Sequence, residues 1–479
     1  MNVRNKRLTD EQFHKIRKDV LLQWETGKEI NLEEAVAYRR QLPVKNCAIT
    51  MKNAKENGNF VAMAQIGRAP FEQTLDGIHY IEENSDASAE DTMFTIYSDS
   101  YTRKSNFAMA QKGIERSIQE GTTMLNGYPI VNYGVKYARK LQEAIKSPLL
   151  LNTADEDSRL QLEIALASGW SGYSCRSIQE VIAHCKDIPL EEMIRHTQYE
   201  DRLVGYYTEA STPVLAQIAS NLTGYDIAAF HVVTVVTQAL LAAEQGVKHI
   251  EMEHGLGMNL VQDVAMLKVC EKLTQYYLDK FGYEGITLTT AIFPYLGSWP
   301  LDVDKSTALI AWNTIIGIMG GATCIIFKCA DEAFGTPTKE SMASATKLGK
   351  HLMKILRNQT LPESKELDIE KQMIELEARA IIDKLFEMGE GDLAVGMVKG
   401  VEAGVLDTMF APWRWLKGKV LLVRDVRGAL RYLDHGNVPL PKEVIEYNRE
   451  KIAERERTEN ITVDLNTLIQ DVGWASRLK

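Results

Sequence analysis

A lysine and a glutamate near residue 330 could contact a small ligand. Lys328 and Glu332 stand four residues apart in the stretch IIFKCADEAFGTPTKE, directly after an apolar run. The lysine could form a Schiff base, clamp a phosphate or donate a hydrogen bond to a hydroxylated ligand. The glutamate could form an ion pair with the lysine or accept hydrogen bonds from two ribose hydroxyls. These two residues alone leave all of these chemistries open.

Two arginines add the means to bind an anion. Arg68 and Arg103 each lie shortly after another apolar run, and a guanidinium group presents a fork of donors that matches a carboxylate. The alternative is that they form ion pairs at the rim of the fold, with Asp76 or Asp99 as partners. From the residues alone, the sequence predicts an enzyme that binds an anionic small molecule.

These side chains must be positioned by alternating strands and helices. From about residue 60 to about residue 330, short apolar or β-branched runs alternate with longer segments of helical period, which is typical of parallel βα units. Candidate strands span 60–66, 92–97, 129–133, 148–152, 213–219, 249–254, 286–293 and 323–328, with a further short one near 169–174. Eight or nine such units, with no GxGxxG motif after the first strand, favour a closed (β/α)8 TIM barrel over an open doubly wound sheet.

In such a barrel, the ligand site lies at the carboxyl ends of the strands. The polar residues at predicted strand ends are Arg68, Asp99 to Arg103, Asn132, Asn152, Ser174, His254, Lys328 and Glu332. The stretch SPLLLNTADEDSRL is predicted to contain the fourth barrel strand, which ends at Asn152. Each strand-end residue, taken singly, could equally cap a loop or face solvent. If these side chains come together at one end of the barrel, they would form a ligand-binding site.

The predicted barrel occupies residues 59–345 and is preceded by an N-terminal helical extension. Residues 1–58 look like two charged helices with a loop around Leu42-Pro43. Thr9 and Gln12 have the spacing of a helix capping box, in which each side chain bonds the backbone of the other residue. This feature predicts a helix that begins close to residue 10.

Residues 346–479 are predicted to form a C-terminal α+β extension that packs on the barrel. Its clearest element is an amphipathic helix over 368–391 that ends at Gly389, as a helix C-cap would. The highly charged stretch YNREKIAERERTEN, residues 447–460, is predicted to be a solvated helix face.

The composition argues against several classes of partner. Lys and Arg number 55 against 65 Asp and Glu, and the net charge of −10 does not suit a nucleic-acid partner, which needs clustered cations. The chain start lacks the apolar segment of a secretion signal, and the most apolar run, 228–243, is shorter than a membrane span. Histidines without HxH or HExxH spacing, and cysteines without CxxC, argue against a protein metal site. We expect a soluble, cytoplasmic protein with reduced thiols.

The order of several motifs resembles the large (epsilon) subunit of glutamate mutase, also called methylaspartate mutase. The stretches that carry the resemblance are, in chain order, LTDEQFHKIRKDVLLQWETGKEINLEEAVAY, SYTRK, LNGYPIVNYGVK, DSRL, DRLVGYY, ALLAAEQGVKHI, GTPTKE, GDLAVG, LRYLDHGNVPLP and YNRE. They cover essentially the whole chain, and so many matches in one order are far more specific than a single motif.

The resemblance implies a TIM barrel whose mouth faces a separate small subunit that carries adenosylcobalamin (coenzyme B12). That subunit has a DxHxxG signature, which this sequence lacks, so a partner chain would complete the cobalamin site. The implied reaction is a radical isomerisation of a carbon skeleton, of the glutamate to 3-methylaspartate type, shielded from solvent inside the barrel. A homodimer of this chain within a heterotetramer of two large and two small chains is also implied.

The family motifs can be carried over residue by residue. Lys328, Glu332 and Asn126 match the positions that hold the adenosine moiety of the cofactor. Arg68 and Arg103 match two of the three arginines that grip the substrate carboxylates. The resemblance therefore implies that the cofactor-binding residues are retained and that two substrate-binding arginines are present.

Four positions depart from the family pattern. Asn152 stands in place of the third substrate-binding arginine, and Ser174 in place of the glutamate that contacts the substrate's amino group. Glu180 and His184 replace two tyrosines of the catalytic site and could supply substitute contacts. Loss of the arginine removes a charge-assisted contact worth roughly 1.5 to 3 kcal/mol. The pattern implies a mutase that acts on a glutamate-like acid with altered specificity.

Two alternatives to this function stay open. The chain could be a non-catalytic or regulatory paralogue of the mutase large subunit, although a scaffold would not need the adenosine-binding residues. A cofactor-free lyase or aldolase that uses Lys328 as a Schiff base is the weaker alternative.

Overall fold

Eight parallel strands form a closed barrel at the centre of the protein. The computed structural model describes residues 3–42, 45–175, 178–220 and 223–474. The barrel strands are β1 Val61–Ile66, β2 Thr92–Tyr97, β3 Leu149–Asn152, β4 Gly172–Cys175, β5 Leu215–Ala219, β6 His249–Gly255, β7 Thr287–Phe293 and β8 Cys324–Ile326. They pair in chain order, and β1 also pairs with β8, which closes the ring. The predicted (β/α)8 TIM barrel is therefore confirmed.

Helices surround the barrel and continue beyond it. In chain order they are α1 Asp10–Leu21, α2 Leu32–Gln41, α3 Cys47–Glu56, α4 Phe71–Asn84, α5 Ser100–Arg103, α6 Phe107–Glu120, α7 Ile130–Ala144, α8 Arg159–Ala167, α9 Ile178–His184, α10 Leu190–Glu209, α11 Ala228–Glu244, α12 Leu260–Lys280, α13 Val303–Gly320, α14 Lys339–Leu356, α15 Lys365–Met388, α16 Leu393–Ala403, α17 Lys442–Glu459 and α18 Leu465–Val472. Two 3₁₀ segments, Glu25–Glu29 and Glu332–Phe334, lie among them. Within the described residues, no helix combines the length and apolar character needed to cross a membrane.

The predicted strand over 129–133 is wrong, because this segment begins helix α7. The helix has a kink at Gly134 (φ 63°, ψ −172°), and Ile130 before the kink and Leu141 after it are both fully buried. A run of five mostly apolar residues is too short to distinguish a strand from a helix start. Asn132 therefore lies on a helix and not at a strand end, and its amide nitrogen donates to the carbonyl of Phe107 (2.9 Å).

The short stretch near 169–174 supplies the missing strand, β4. It pairs with β3 on one side and with β5 on the other. The strand that ends at Asn152 is consequently the third strand of the barrel and not the fourth. The other predicted strands match the observed ones to within two residues at each end.

Apolar side chains fill the lower half of the barrel, and α3 closes it from below. Val61, Met93 and Leu150 of the strands form one buried cluster with Cys47 and Met51 of α3. Because the described residues fill and cover this end, we expect a ligand to enter the barrel interior from the carboxyl ends of the strands.

The upper half of the barrel interior is polar. Side chains along a strand alternate between its two faces, so residues two positions beyond the apolar cluster face the same interior. These residues are Gln65, Thr95, Asn152, Gln217 and Lys328. The change from apolar to polar within one strand repeat marks the floor of the barrel mouth.

The region before the barrel contains three helices, α1 to α3, and not the two predicted. The predicted capping box starts α1: the Thr9 hydroxyl accepts from the backbone nitrogen of Gln12 (3.2 Å), and the Gln12 side chain accepts from that of Thr9 (3.0 Å). The first two helices are the charged pair, and the third is the apolar plug of the barrel. Leu42 follows α2 directly, and Pro43 of the predicted loop lies outside the described residues.

The C-terminal region combines helices with an antiparallel hairpin. The predicted amphipathic helix is α15, and Gly389 is its C-cap residue. The hairpin consists of β9 Leu421–Arg424 and β10 Leu430–Asp434. Most of the charged stretch 447–460 lies on α17, but Arg455 points inward and binds Asp471 (2.7 Å) instead of facing solvent.

The hairpin packs on the loops that follow β5 and β6. A terminal nitrogen of Arg424 donates to the carbonyl of Gly257 (2.9 Å), and the guanidinium carbon lies 5.3 Å from the centre of the Tyr225 ring. Gln262, at the start of α12, exchanges two hydrogen bonds with the backbone of Leu430 (3.1 and 2.9 Å). The C-terminal region therefore covers one side of the barrel mouth.

Candidate active site at the barrel mouth

The end of β8 presents an ion pair to the barrel mouth. The Lys328 Nζ lies 3.2 Å from Oε1 of Glu332 and 5.2 Å from the centre of the Trp299 ring. The lysine side chain is 10% exposed and the glutamate side chain is 28% exposed. An ammonium group has three donors, so the ion pair leaves Lys328 able to donate to a second acceptor. The Trp299 indole nitrogen is buried without an acceptor among the described residues.

Arg68 lies in the loop after β1 and contacts the loop after β8. One of its terminal nitrogens donates to the carbonyl of Pro337 (2.7 Å). Its backbone nitrogen donates to the Thr74 hydroxyl (3.0 Å), which in turn donates to its carbonyl (2.9 Å). The alternative partner, Asp76, forms its ion pair with Lys339. Arg68 is therefore held beside the β8 loop that carries the Lys328 pair.

Arg103 ends the short helix α5 after β2. Its Nε donates to the carbonyl of Ser98 (2.7 Å), and its guanidinium carbon lies 5.9 Å from the centre of the Tyr97 ring. The fully buried Asp99 caps the same helix by accepting from the backbone nitrogens of Tyr101 and Thr102 (2.9 and 3.2 Å). Asp99 is thus occupied as a cap, and the terminal nitrogens of Arg103 remain available for a ligand carboxylate.

Asn126 belongs to the same side of the mouth as Arg103. Its side-chain oxygen accepts from the backbone nitrogen of Ser100 (2.9 Å), the first residue of α5. Because Asn126 is exposed, its amide nitrogen can still donate to a ligand. The contact places one predicted adenosine-binding residue next to one predicted substrate-binding arginine.

Asn152 and Ser174 lie at the ends of two neighbouring strands, β3 and β4. They are 2% and 4% exposed, so both are enclosed within the barrel mouth. The Asn152 carbonyl accepts from the backbone nitrogen of Ser98 (3.2 Å), and the Ser174 hydroxyl lies 3.5 Å from the carbonyl of Leu151. Both side chains are short and neutral, so neither supplies a charge to a ligand.

Glu180 and His184 form an ion-pair geometry on α9. The His184 Nδ1 lies 2.9 Å from Oε1 of Glu180, one helical turn away. The Glu180 side chain is 3% exposed, whereas that of His184 is 36% exposed. The carboxylate therefore faces the interior, and the imidazole lies between it and solvent.

Asp155 is a buried acid that sequence reasoning did not select. One of its carboxylate oxygens accepts from the Gln161 amide nitrogen, and the Gln161 oxygen accepts from the Ser98 hydroxyl. Ser98 also accepts from Arg103, so a chain of hydrogen bonds links Asp155 to the arginine. Burial and the nearby charge of Glu180 raise the pKa of Asp155 well above its usual range. The signal in the sequence was a carboxylate three residues after a strand end.

His254 is buried in strand β6, and its hydrogen bonds among the described residues do not join it to the other predicted residues. Its Nδ1 lies 3.2 Å from the Ser220 hydroxyl, which also lies 3.1 Å from Nδ1 of His231 on α11. Burial lowers the pKa of His254 to about 3, so its imidazole is neutral at physiological pH. This histidine belongs to the packing between the barrel and α11.

A further buried acid, Glu251, lies deeper in the barrel interior. Its carboxylate accepts from the amide of Gln217 on the adjacent strand (2.8 Å). Burial raises the pKa of Glu251 to about 8, although the hydrogen bond from Gln217 opposes this shift. The acid is fully buried and lies below the level of the strand ends.

Contacts among the described residues arrange the predicted site residues on two sides of the mouth. The first, which we name the β8 side, contains Lys328, Glu332 and Arg68. The second, named the β3–β4 side, contains the predicted residues Arg103, Asn126, Asn152, Ser174, Glu180 and His184, together with Asp155. The strand order explains the division, because β8 adjoins β1, whereas β2, β3 and β4 follow one another.

Comparison with known proteins gives one consistent family. Residues 42–478 match the family model described as methylaspartate mutase E chain (MutE). The glutamate mutase epsilon subunit of Desulfitobacterium hafniense is 38% identical over 98% of this chain and 97% of its own length. Its counterparts in Yersinia enterocolitica and Haloarcula marismortui are 36% and 31% identical, over 100% and 98% of this chain and 99% and 94% of their own lengths. The chain therefore belongs to the methylaspartate mutase E chain family of isomerases.

Proposed function

We propose that this chain is the large catalytic subunit of an adenosylcobalamin-dependent mutase that rearranges the carbon skeleton of a glutamate-like acid. The observation that carries the proposal is the Lys328–Glu332 pair at the mouth of a closed barrel (3.2 Å), in a chain that matches the family over residues 42–478. The pair supplies a donor and an acceptor where the barrel opens.

The donors and acceptors on the mouth suit an adenosine group. The Glu332 carboxylate can accept from two ribose hydroxyls, and Lys328 and the amide nitrogen of Asn126 can donate to ring nitrogens or hydroxyls. Adenosylcobalamin, when bound, supplies the adenosyl radical that removes a hydrogen atom from the substrate. The closed floor of the barrel keeps water away from the reacting atoms.

The β3–β4 side provides the substrate contacts. The free terminal nitrogens of Arg103 can grip a carboxylate in a bidentate manner, and Arg68 approaches from the opposite side. Asn152 can donate one neutral hydrogen bond where an arginine would donate two charged ones. Ser174, Glu180 and His184 complete this side. The arrangement supports a substrate related to glutamate but differing in one of its charged groups.

The exposed surface near the mouth supports a partner chain. Leu301 and Val303, after β7, are 68% and 56% exposed, and Phe334, after β8, is 65% exposed. Such apolar side chains beside a polar cavity are typical of a protein interface. We propose that a small cobalamin-binding chain of the DxHxxG type docks here, within a heterotetramer built on a dimer of this chain.

The test is electron paramagnetic resonance of the reconstituted complex. The purified chain is mixed with its small cobalamin-binding partner, adenosylcobalamin and one acid from a panel that includes glutamate. We expect a cob(II)alamin-coupled radical signal with at least one acid, and none when the small chain is omitted. Failure of every acid, in a complex that binds the cofactor, would contradict the proposal. Failure to bind adenosylcobalamin at all would instead favour a non-catalytic paralogue.

A further inference from the structure

Asp155 has one carboxylate oxygen for which the protein provides no partner. Oδ2 accepts from Gln161, whereas Oδ1 is buried without a hydrogen-bond donor among the described residues. The residue is 5% exposed, so water cannot readily replace the missing donor. A buried carboxylate oxygen without a donor costs free energy that a bound ligand could recover.

The charges around Asp155 indicate which ligand group would recover it. Glu180, Asp157 and Glu200 all lie near enough to disfavour a second negative charge, and Arg103 is the cation that acts on it. Asp157 is bound by Arg159 (2.7 Å), and Glu200 accepts from the Ser158 hydroxyl. An anionic ligand group would add repulsion here, whereas a protonated amine would donate hydrogen bonds and offset the surplus of acids.

We propose that Asp155 binds the protonated amine of the substrate, and so determines that the substrate is an amino acid. The inference rests on the proposed function. It assigns amine recognition to the loop after β3, because Ser174, at the end of β4, is short and neutral and cannot neutralise an ammonium group. Arg103, linked to Asp155 through Ser98 and Gln161, would hold a carboxylate of the same molecule.

The experiment is isothermal titration calorimetry on the full-length chain. The probes are three amino acids, glutamate, glutamine and ornithine, and one acid without an amine, glutarate. Asp155→Asn should weaken binding of the best amino acid at least about tenfold, as expected for a lost charge-assisted hydrogen bond. Its effect on glutarate should be less than about threefold. Asp19→Asn, the same chemical change on the exposed face of α1, should leave every affinity unchanged.

Proton release on amino acid binding provides a second readout. The carboxyl of free Asp155 holds its proton to higher pH than usual because of burial and Glu180. An ammonium group stabilises the carboxylate, so an amino acid should displace this proton on binding. Titrations at several pH values, in buffers of different ionisation enthalpy, should show net proton release with the wild type at one or more of them. Asp155→Asn or Asp155→Ser, checked for folding by thermal unfolding, should show none.

Several outcomes would overturn the inference. They are equal losses of amino acid and glutarate binding in Asp155→Asn, the absence of proton release in the wild type at every pH tested, and no binding of any amino acid at millimolar concentration. A radical signal from an acid without an amine, unchanged by Asp155→Asn, would reject the inference and leave the proposed function intact. If amine binding depends on Asp155 but no acid gives a radical signal, the inference stands and the proposed function is rejected.

Discussion

The two sides of the barrel mouth differ in how their charges are balanced before any ligand arrives. On the β8 side, Lys328 and Glu332 neutralise each other and stay partly exposed. On the β3–β4 side, Asp155 and Glu180 are both acids and both almost fully buried. The first side can keep one arrangement with or without a ligand. The second side encloses two acids beside Arg103 and His184, and a bound amine would add a further positive charge there. We therefore expect substrate choice to be decided on that side.

The largest effect on binding should come from removing the Lys328–Glu332 ion pair of the β8 side. Lys328→Met removes the donor that we propose for the cofactor and leaves the Glu332 carboxylate without its lysine partner. We expect a loss of roughly 3 kcal/mol, or about 100-fold in affinity. The measurement is the dissociation constant of adenosylcobalamin in the reconstituted complex. Lys339→Met is the matched control, because Lys339 also pairs with an acid, Asp76, but both side chains are more exposed than those of Lys328 and Glu332. Equal effects of the two substitutions would show that the β8 side is not a cofactor site.

Glu251, the buried acid below the mouth, tests the free-energy cost of burying an acid at a position where we propose no ligand contact. The pKa of Glu251 is raised to about 8, so the folded protein keeps a proton that the unfolded chain loses once the pH exceeds the ordinary glutamate range. Stability therefore falls as the pH rises from about 4.5 towards 8. Glu251→Gln should raise the unfolding free energy at pH 8 and have little effect near pH 4.5.

Chemical denaturation at the two pH values measures this difference. Amino acid binding should be unchanged in Glu251→Gln, in contrast to Asp155→Asn. A stability gain of the same size at both pH values would show that ionisation of Glu251 is not its cause.

A double substitution on the β3–β4 side should shift substrate specificity towards glutamate. Asn152→Arg with Ser174→Glu adds one cation for a carboxylate, worth roughly 1.5 kcal/mol, and a second acid beside the amine that we assign to Asp155. Glutamate turnover or affinity should therefore rise about tenfold or more. Steady-state kinetics of the reconstituted complex measure it. The single substitutions should each gain less than the pair, because each places an unbalanced charge in an enclosed site. No gain with the pair would mean that these positions do not set substrate choice.

The smallest expected effect concerns the support of Arg103. Asp99→Ala removes the cap of α5, which should cost about 1 to 2 kcal/mol of stability. We also expect a higher Michaelis constant with little change in turnover number, because Asp99 positions the arginine and does not touch substrate. Asp99→Asn retains the acceptor and should restore both values. A loss of turnover that asparagine does not rescue would argue that the carboxylate itself takes part.

The sequence predicted the barrel well because most of its strands are buried on both faces. Such strands read as short continuous apolar runs, and seven of the nine predicted ones match observed strands to within two residues, with β4 found near the ninth. The exception, 129–133, shows the limit. Its residues have the same composition as a strand, but they form a helical turn that ends at a kink at Gly134.

The candidate site was predictable in its position but not in its charge balance. Strand ends identified where Lys328 and Asn152 would lie, because the carboxyl ends of barrel strands meet at one mouth. The burial of Asp155 could not be read from three acidic residues in a row, which are more often solvated. Its role depends on Gln161, one turn into the next helix, and that pairing appears only in three dimensions.

The C-terminal hairpin leaves one half of the barrel mouth more open than the other. Hydrogen bonds of Arg424 and Gln262 hold the hairpin against the loops after β5 and β6. The hairpin therefore covers that half of the opening. A large molecule that approaches the mouth is then guided to the half formed by β8, β1 and β2. We expect it to arrive beside the Lys328 pair, while a small molecule bound beneath it would be enclosed against β3 and β4.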